Sequence, residues 1–413
     1  MISEDFPPNV VGGVGSHSYD LASGLVQHGW AVGVLAGGSR DLPQPRFEGG
    51  MHVCRMQLFD DNGRRRLRTS AVVAQCRRLA HLVRPCLLHL HDPLYLPAAL
   101  CLSKELGLPM VFTQHNAFRH LLEQRRTHDP HSAEFLPHLS QEAQAEGLVL
   151  QRADAVICVS ETVKRQMHAG YRSGCPLWVV PNGVDIASFR NVDRERSRRL
   201  RACLADPSER IALFVGRACQ DKGLPELITA VALLPTRNCR IRFVFIFSQL
   251  EPWQLEALRG MAPLKGRAVF LNDISRAEIP LYYSAAHLVV MPSRTEAFGL
   301  VAIEAMAAAR PLIVSDIEPL NQFVQDGVSG RIVPLAAGSK PLVDVRCLAA
   351  AIQEVAGLPE KRLKKMGKFG LRAACNAYSK NRMVERTIKV YRRLTVRQRL
   401  RTGEVLGGLQ SAH

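Results

Sequence analysis

Long apolar runs are missing from this 413-residue chain. Stretches such as FVFIF at 243–247 stop far short of the roughly 20 residues a bilayer-spanning helix needs, and no leader-like pattern opens the chain. A soluble or peripheral protein of the cytoplasm, sitting at most on the cytoplasmic face of a membrane, is the expectation. Aromatic residues are scarce at 6%. The 11 cysteines are odd in number and scattered. They form no C-x-x-C pair, so neither a disulfide scaffold nor a zinc site is supported. Acidic residues are in short supply, 37 against 54 Lys and Arg, leaving a formal charge of +17. Much of the excess lies in blocks: RRRLR at 64–68, RERSRRLR at 194–201 and RRLTVRQRLR at 392–401. Zinc-finger spacing and an RNA-binding aromatic signature are both absent, so nucleic acid is not an expected partner. A solvated basic face, or one that meets anionic lipid or substrate, stays open.

What is present is alternation. AVGVLAG (31–37), CLLHLHD (86–92), PMVFTQH (109–115), DAVICVS (154–160) and LWVVPNG (177–183) read as buried parallel strands. Amphipathic stretches such as SHSYDLASGLVQHG and SETVKRQMHAG lie between them. After a charged connector the pattern restarts with IALFVGR (211–217), IRFVFIFS (241–248), RAVFLND (267–273), HLVVMPS (287–293), RPLIVSD (310–316) and GRIVPL (330–335). Strand alternating with helix implies an α/β chain of two doubly wound parallel-sheet lobes, with ligands at the carboxyl ends of the strands. A cleft between two such lobes is the default pocket. The expected boundaries are 1–182 for the first lobe, 183–378 for the second, 379–400 for a closing helix that returns to the first lobe, and 401–413 for a flexible tail.

Three constellations could carry chemistry. In PPNVVGGVGSHSYDL, Gly12, Gly13 and Gly15 precede a helix, where backbone can approach a phosphate closely. Ser18 breaks the G-x-G-x-x-G fingerprint, so the loop alone reads as an ordinary strand-to-helix turn before it reads as a phosphate site. In VGRACQDKG, Arg217 closes a strand and Lys222 precedes a helix, which fits a pyrophosphate clamp or plain surface cations. In PSRTEAFGLVAIEAM, Glu296 lies in a loop at a strand's carboxyl end and Glu304 sits one turn into a strong helix former. Amides of Phe298, Gly299 and Leu300 would point out of that helix's start toward an anion. Glu304, flanked by Ile303, Ala305 and Met306, is too apolar in its surroundings for a simple surface carboxylate. His115 ends a strand, as do His91 and Asp92 in CLLHLHD; a lone histidine is most often a hydrogen-bonded structural residue.

The order of these motifs resembles the retaining glycosyltransferases of the GT-B fold, glycosyltransferase family 4, over nearly the whole chain. PPNVVGGVG is similar to the family's glycine-rich donor loop, VVPNGVDIASF to its entry into the second lobe, VGRACQDKG to its Arg and Lys pair. EAFGLVAIE matches its signature of two glutamates separated by seven residues, and AYSKNRMVERTIKVY its closing helix.

The resemblance implies a metal-independent, retaining hexosyltransferase of polysaccharide biosynthesis type that uses a nucleotide-diphospho-sugar as donor substrate, with no cofactor and no resident metal. It implies that Arg217 and Lys222 hold the donor pyrophosphate, Glu296 contacts the transferred sugar and Glu304 the ribose. Backbone at Gly13 and at Phe298, Gly299 and Leu300 would complete the cradle, and His115 would face the reacting sugar or acceptor, a glycan, a lipid-linked or a small-molecule hydroxyl. The sequence departs from the pattern in places. Only MIS precedes EDFPP, so the first strand reads as truncated; IFSQL and LND replace glycine sites near the base, and SDIEPLNQFV a glycine pair near the sugar. A weak or inactive nucleotide-sugar-binding protein on the same scaffold is the alternative those departures raise.

Overall fold

The computed structural model describes residues 1–8, 12–38, 44–57, 68–128, 136–235, 240–248, 250–338 and 341–402. RRRLR, save Arg68, and the segment after residue 402 lie outside them. The chain divides into two compact units, Met1–Pro181 with Asn381–His413, and Asn182–Lys380.

The first unit is built on an eight-stranded sheet of order β3-β4-β2-β1-β5-β6-β7-β8. The strands are β1 Ile2–Ser3, β2 Gly33–Gly38, β3 Arg46–Glu48, β4 Met51–Gln57, β5 Leu88–Leu90, β6 Met110–Gln114, β7 Ala155–Cys158 and β8 Leu177–Val179. All neighbours pair in parallel except the β3–β4 hairpin at the edge. Central β1 pairs through two residues only, Ile2 with Leu35 and Leu90, and Ser3 with Ala36. At its amino end the sheet holds an apolar cavity of ≈ 90 Å³ lined by Trp30, Val32, Leu79, Val83, Leu88 and Leu102 among others. The helix Gly13–Gln27 and the long helix Lys380–Thr402 cover one face. Leu21, Ala22 and Leu25 of the former share a core with Met383, Val384, Ile388, Tyr391 and Leu394 of the latter. Gly24 permits their approach, since a Cβ there would lie 2.4 Å from Val384 Cγ2.

The second unit carries a six-stranded, all-parallel sheet of order β11-β10-β9-β12-β13-β14. Its strands are β9 Arg210–Gly216, β10 Ile241–Phe247, β11 Ala268–Asn272, β12 Leu288–Met291, β13 Leu312–Ser315 and β14 Gly330–Val333. Parallel strands covered by helices on both faces need apolar residues at nearly every position, as IALFV and FVFIF supply. Because alternate residues share a face, Phe243, Phe245 and Phe247 point together, and Phe245 and Phe247 meet Phe214 and Phe270, at centroid distances of 5.3 to 6.5 Å across the group. Fully burying each such ring contributes on the order of 1.5–3 kcal/mol, so this ladder fixes the central strands. From β9 the sheet grows outward in both directions, to β10 and β11 on one side and to β12, β13 and β14 on the other. The loops after β9 and β12 therefore leave the sheet side by side and diverge, which makes a crevice at their carboxyl ends.

Candidate functional site

The β9 and β12 loops carry Arg217, Lys222, Glu296, Phe298 and Gly299 of the residues singled out in the sequence. Leu213 pairs with Val289, so Arg217 and Pro292, each just beyond its strand, start from neighbouring positions. The β9 loop closes in a short 3-10 turn, Gln220–Lys222, followed by Gly223 with φ +66°. A Cβ on Gly223 would stand 1.7 Å from Pro292 O. Only glycine meets both demands, the left-handed backbone and the direct contact with the β12 loop. Arg294 bolts the loops together: its amide donates to Asp221 O at 2.8 Å, and its guanidinium donates to Glu226 Oε1 at 2.6 Å and Gln220 Oε1 at 3.1 Å.

On that clamp Lys222 Nζ donates to Glu296 Oε1 at 2.6 Å, and Ser293 Oγ donates to the same oxygen at 3.0 Å. The Glu296 side chain is 9% exposed and that of Lys222 25%. A largely buried carboxylate persists only with such partners. Arg217 is exposed, and among the described residues its guanidinium has no hydrogen-bonding or ionic partner.

The FGL turn follows. Phe298 is buried and packs edge-on against Phe323 and Tyr378, at 5.4 and 6.0 Å between centroids. Its side chain anchors the loop and leaves its backbone for other work. Gly299, at φ +97°, caps the helix Leu300–Ala307 with no side-chain cap, so the first amides of that helix keep their donors, the arrangement that favours an anion. A Cβ at Gly299 would also lie 2.6 Å from Leu320 Cδ2. Glu304, half-buried on the same helix, accepts a hydrogen bond from Tyr283 Oη at 2.7 Å. Tyr283 is wholly buried, and burial with the nearby carboxylate holds its phenol well above its ordinary pKa, so it stays a donor.

Lys222, Glu296, Phe298, Gly299, Leu300 and Glu304 are thus gathered on two adjacent loops and one helix of the second unit, with Arg217 on the first of those loops. Gly13 and His115 belong to the first unit. Gly13 is the first residue of the helix Gly13–Gln27, so Gly13 and Gly15 lie within its first turn rather than ahead of it. His115 follows β6 and is half-buried beside His91 and His17. The sequence does not single out Tyr283, Ser293 or Arg294. The signal available for Tyr283 is that both a phenol and Glu304 sit among apolar residues and each needs a partner.

Two family models match consecutively: "Glycosyltransferase Family 4" over residues 11–188 and "Glycosyl transferases group 1" over residues 197–368. Among curated relatives, the alpha-D-kanosaminyltransferase of Streptomyces kanamyceticus is 30% identical over 241 residues, 56% of this chain and 59% of that protein. The D-inositol 3-phosphate glycosyltransferase of Mycolicibacterium gilvum is 35% identical over 199 residues, 48% of this chain and 45% of that protein. The matched region thus spans about half the length of these relatives. Among solved structures, sucrose-phosphate synthase of Thermosynechococcus elongatus superposes with a TM-score of 0.78 at 23% identity, covering 96% of this chain and 98% of that one. Anabaena HepE in complex with UDP-glucose superposes with a TM-score of 0.72 at 19% identity, covering 95% and 98%. Both likenesses bear on the fold, which is GT-B. With its two halves matched in order and its fold shared, the chain belongs to glycosyltransferase family 4.

Proposed function

We propose that the protein transfers a sugar, with retention of anomeric configuration, from a nucleotide-diphospho-sugar to a hydroxyl acceptor. The observation that carries this reading is the Lys222–Glu296 pair set directly before the uncapped start of helix Leu300–Ala307. A departing nucleoside diphosphate carries its new charge on phosphate oxygens. Preorganised cations and amides aimed at those oxygens lower the barrier, because they need no reorganisation as the charge develops. Arg217 and Lys222 supply the cations and the amides at Phe298, Gly299 and Leu300 the dipoles, so in this reading the charge is met without a resident metal.

Glu296 then holds hydroxyls of the transferred sugar, and Glu304, steadied by Tyr283, accepts bonds from the ribose diol. Gly13 offers backbone to the phosphates, and His115 is assigned to the reacting sugar or the acceptor. The bond from the anomeric carbon to the phosphate oxygen breaks, the acceptor oxygen bonds the same carbon from the same face, and its proton passes to the departing diphosphate. A glycan, a lipid-linked alcohol or a small polyol fits as acceptor. Peripheral contact with an anionic membrane and a cytoplasmic location belong to the same reading. Among the described residues no helix is long and apolar enough to cross a membrane. Near the RRRLR block in the sequence, Arg77 is engaged in a two-pronged bond to Glu105, 2.7 Å for each.

Thermal unfolding of the full chain against a panel of nucleotide-diphospho-sugars tests the reading, since a bound ligand raises stability by mass action. A shift with at least one donor, accompanied by turnover that falls about 10²-fold or more in Glu296→Ala and in Lys222→Ala, is expected. A shift without turnover under any acceptor panel would turn the conclusion toward a binding protein on this scaffold.

A further inference from the structure

The sheet of the first unit also has a point from which its strands grow in both directions, between β1 and β5. Four histidines gather there. His89 and His91 lie on β5 and just beyond it, His115 just beyond β6, and His17 on the helix that follows β1. The rings of His17 and His115 stand 4.8 Å apart at 78°, and those of His91 and His115 5.4 Å apart at 26°. His91 Nδ1 lies 3.1 Å from His115 Nε2. One ligand nitrogen from each of His17, His91 and His115 falls within 4.8 Å of the others. His17 is 2% and His91 4% exposed, and among the described residues His91 Nε2 has no hydrogen-bond partner. Packing alone does not call for three imidazoles converging on a point, because each brings polar nitrogens that burial must compensate.

We propose that His17, His91 and His115 form a binding site for a divalent transition metal, with a fourth coordination position left open. Imidazole nitrogen selects zinc, copper, nickel or cobalt over magnesium and calcium, which prefer oxygen. Three histidines with one open position is a known pattern for zinc. Burial and the mutual crowding of the rings hold His91 and His115 well below their ordinary pKa. They are therefore neutral, and a neutral imidazole has one lone pair to give, so ligation expels no proton and only tautomers adjust. Metal–nitrogen bonds of about 2.0–2.1 Å require the nitrogens to draw inward from 4.8 Å, a side-chain movement. His89 supports the group from behind: its ring lies 4.2 Å from that of His91, tilted by 31°, and its nitrogens bond Tyr391 Oη at 2.5 Å and Thr113 Oγ1 at 2.7 Å. If His115 serves the reacting sugar, as the reading above has it, occupancy withdraws that ring and the metal inhibits; this last step rests on that reading, and the site itself does not.

The test uses the full chain with its cysteines alkylated, because exposed thiols such as Cys86, Cys101, Cys203 and Cys347 would compete for the ion. Co²⁺ is titrated and its visible absorption followed. Saturable uptake with the intense bands of a four-coordinate ion is expected, weakened about tenfold or more in His91→Gln and in His17→Gln, and unchanged in His138→Gln, an exposed control. X-ray absorption of the Zn²⁺-loaded chain should show nitrogen neighbours at about 2.0–2.1 Å. Should His91→Gln fail to fold, the decision passes to His17→Gln and to the absorption spectrum of the wild type. Equal Co²⁺ affinity in wild type and both variants, no saturable uptake by wild type, or a shell of oxygen alone would each overturn the proposal. None of these readouts depends on transfer activity, so they leave the glycosyltransfer reading standing.

Discussion

Lys222 Nζ lies 2.6 Å from Glu296 Oε1, joining the loop after β9 to the loop after β12. The contact sets two tasks against each other. In the proposed reaction the cation that meets the diphosphate is tied to the carboxylate that holds the sugar, so a donor engaging both must loosen or share that bond. Lys222→Ala removes the cation and also strands a largely buried carboxylate. We expect donor turnover, measured as kcat/KM, to fall roughly 10²–10³-fold, the scale for losing one transition-state donor. Glu296→Gln keeps the acceptor for Ser293 but drops the charge, and should lose turnover on a similar scale while donor-induced thermal stabilisation persists. Lys222→Ala retaining turnover to within about tenfold would remove Lys222 from the chemistry.

Tyr283 is buried edge-on against Phe189, 5.5 Å between centroids, and donates its phenol hydrogen to Glu304 Oε2 at 2.7 Å. Tyr283→Phe keeps the ring and removes that bond. A hydrogen bond to a charged group contributes about 1.5–3 kcal/mol, so the released carboxylate should weaken donor binding by about tenfold or more, with kcat nearly unchanged. Isothermal titration with the preferred donor, beside steady-state kinetics, checks this split. An unaltered dissociation constant would mean that Glu304 does not need Tyr283.

Gly223 tests the clamp itself. Alanine there meets Pro292 O at 1.7 Å and must hold φ near +66°. Since backbone rather than a flexible side-chain end is in the way, Gly223→Ala should destabilise by several kcal/mol, at or above the roughly 1–3 kcal/mol of ordinary overpacking. At Gly260, the end of helix Pro252–Gly260, an added Cβ would meet nothing within 4 Å. Gly260→Ala should be neutral or stabilising by up to about 1 kcal/mol. Urea unfolding of the pair measures the contrast, and equal midpoints would show that the β9 and β12 loops are not locked together.

Much of this site can be read along the chain. Arg217, Lys222 and Glu296 each stand just past an apolar run that ends abruptly, and α/β sheets deliver their ligands to such strand ends. The linear sequence leaves out which strand ends are neighbours. That β9 pairs with β12 rather than only with β10 is a property of the sheet, and it is what brings Lys222 to Glu296 across 74 residues. The helix Ile279–Ala285 hides Tyr283 for a related reason: IPLYYSA looks like any short core helix until Glu304 is placed against it. In the first unit, β4 escapes the pattern of apolar runs. MHVCRMQ is interrupted by His52, Arg55 and Gln57 beside a charged segment, so it lacks the continuous apolar run of a central parallel strand,. The β3 edge is only three residues long and exposes Phe47.

His287 gives the second unit a pH dependence of defined sign. It is buried just before β12, accepts a hydrogen bond from the Ile211 amide at Nδ1 (2.9 Å), and its own amide donates to Ile211 O at 2.9 Å. Burial first, then the charges of Arg201 and Arg210, push its pKa down to about 4; Glu360 opposes this and Arg310 adds to it. Arg201 and Arg310 are held beside it by the carbonyls of Ser284, Ala285 and Ala286, and Arg210 by Glu360 at 2.7 Å. Protonation must break the bond from Ile211 and add a fourth cation to this group. A base whose folded pKa lies below its unfolded value of 6.5 makes the unfolded chain the better proton binder between the two values. Its contribution is therefore complete at neutral pH and drains away as pH falls from about 6.5 toward 4, by about 3 kcal/mol at the lower end. In His287→Gln the amide oxygen can accept the same Ile211 bond without titrating. Urea unfolding of the full chain at stepped pH should therefore show the variant losing less stability than wild type across that window, the gap widening with acid. Parallel stability curves for the two proteins would place the acid sensitivity elsewhere in the chain.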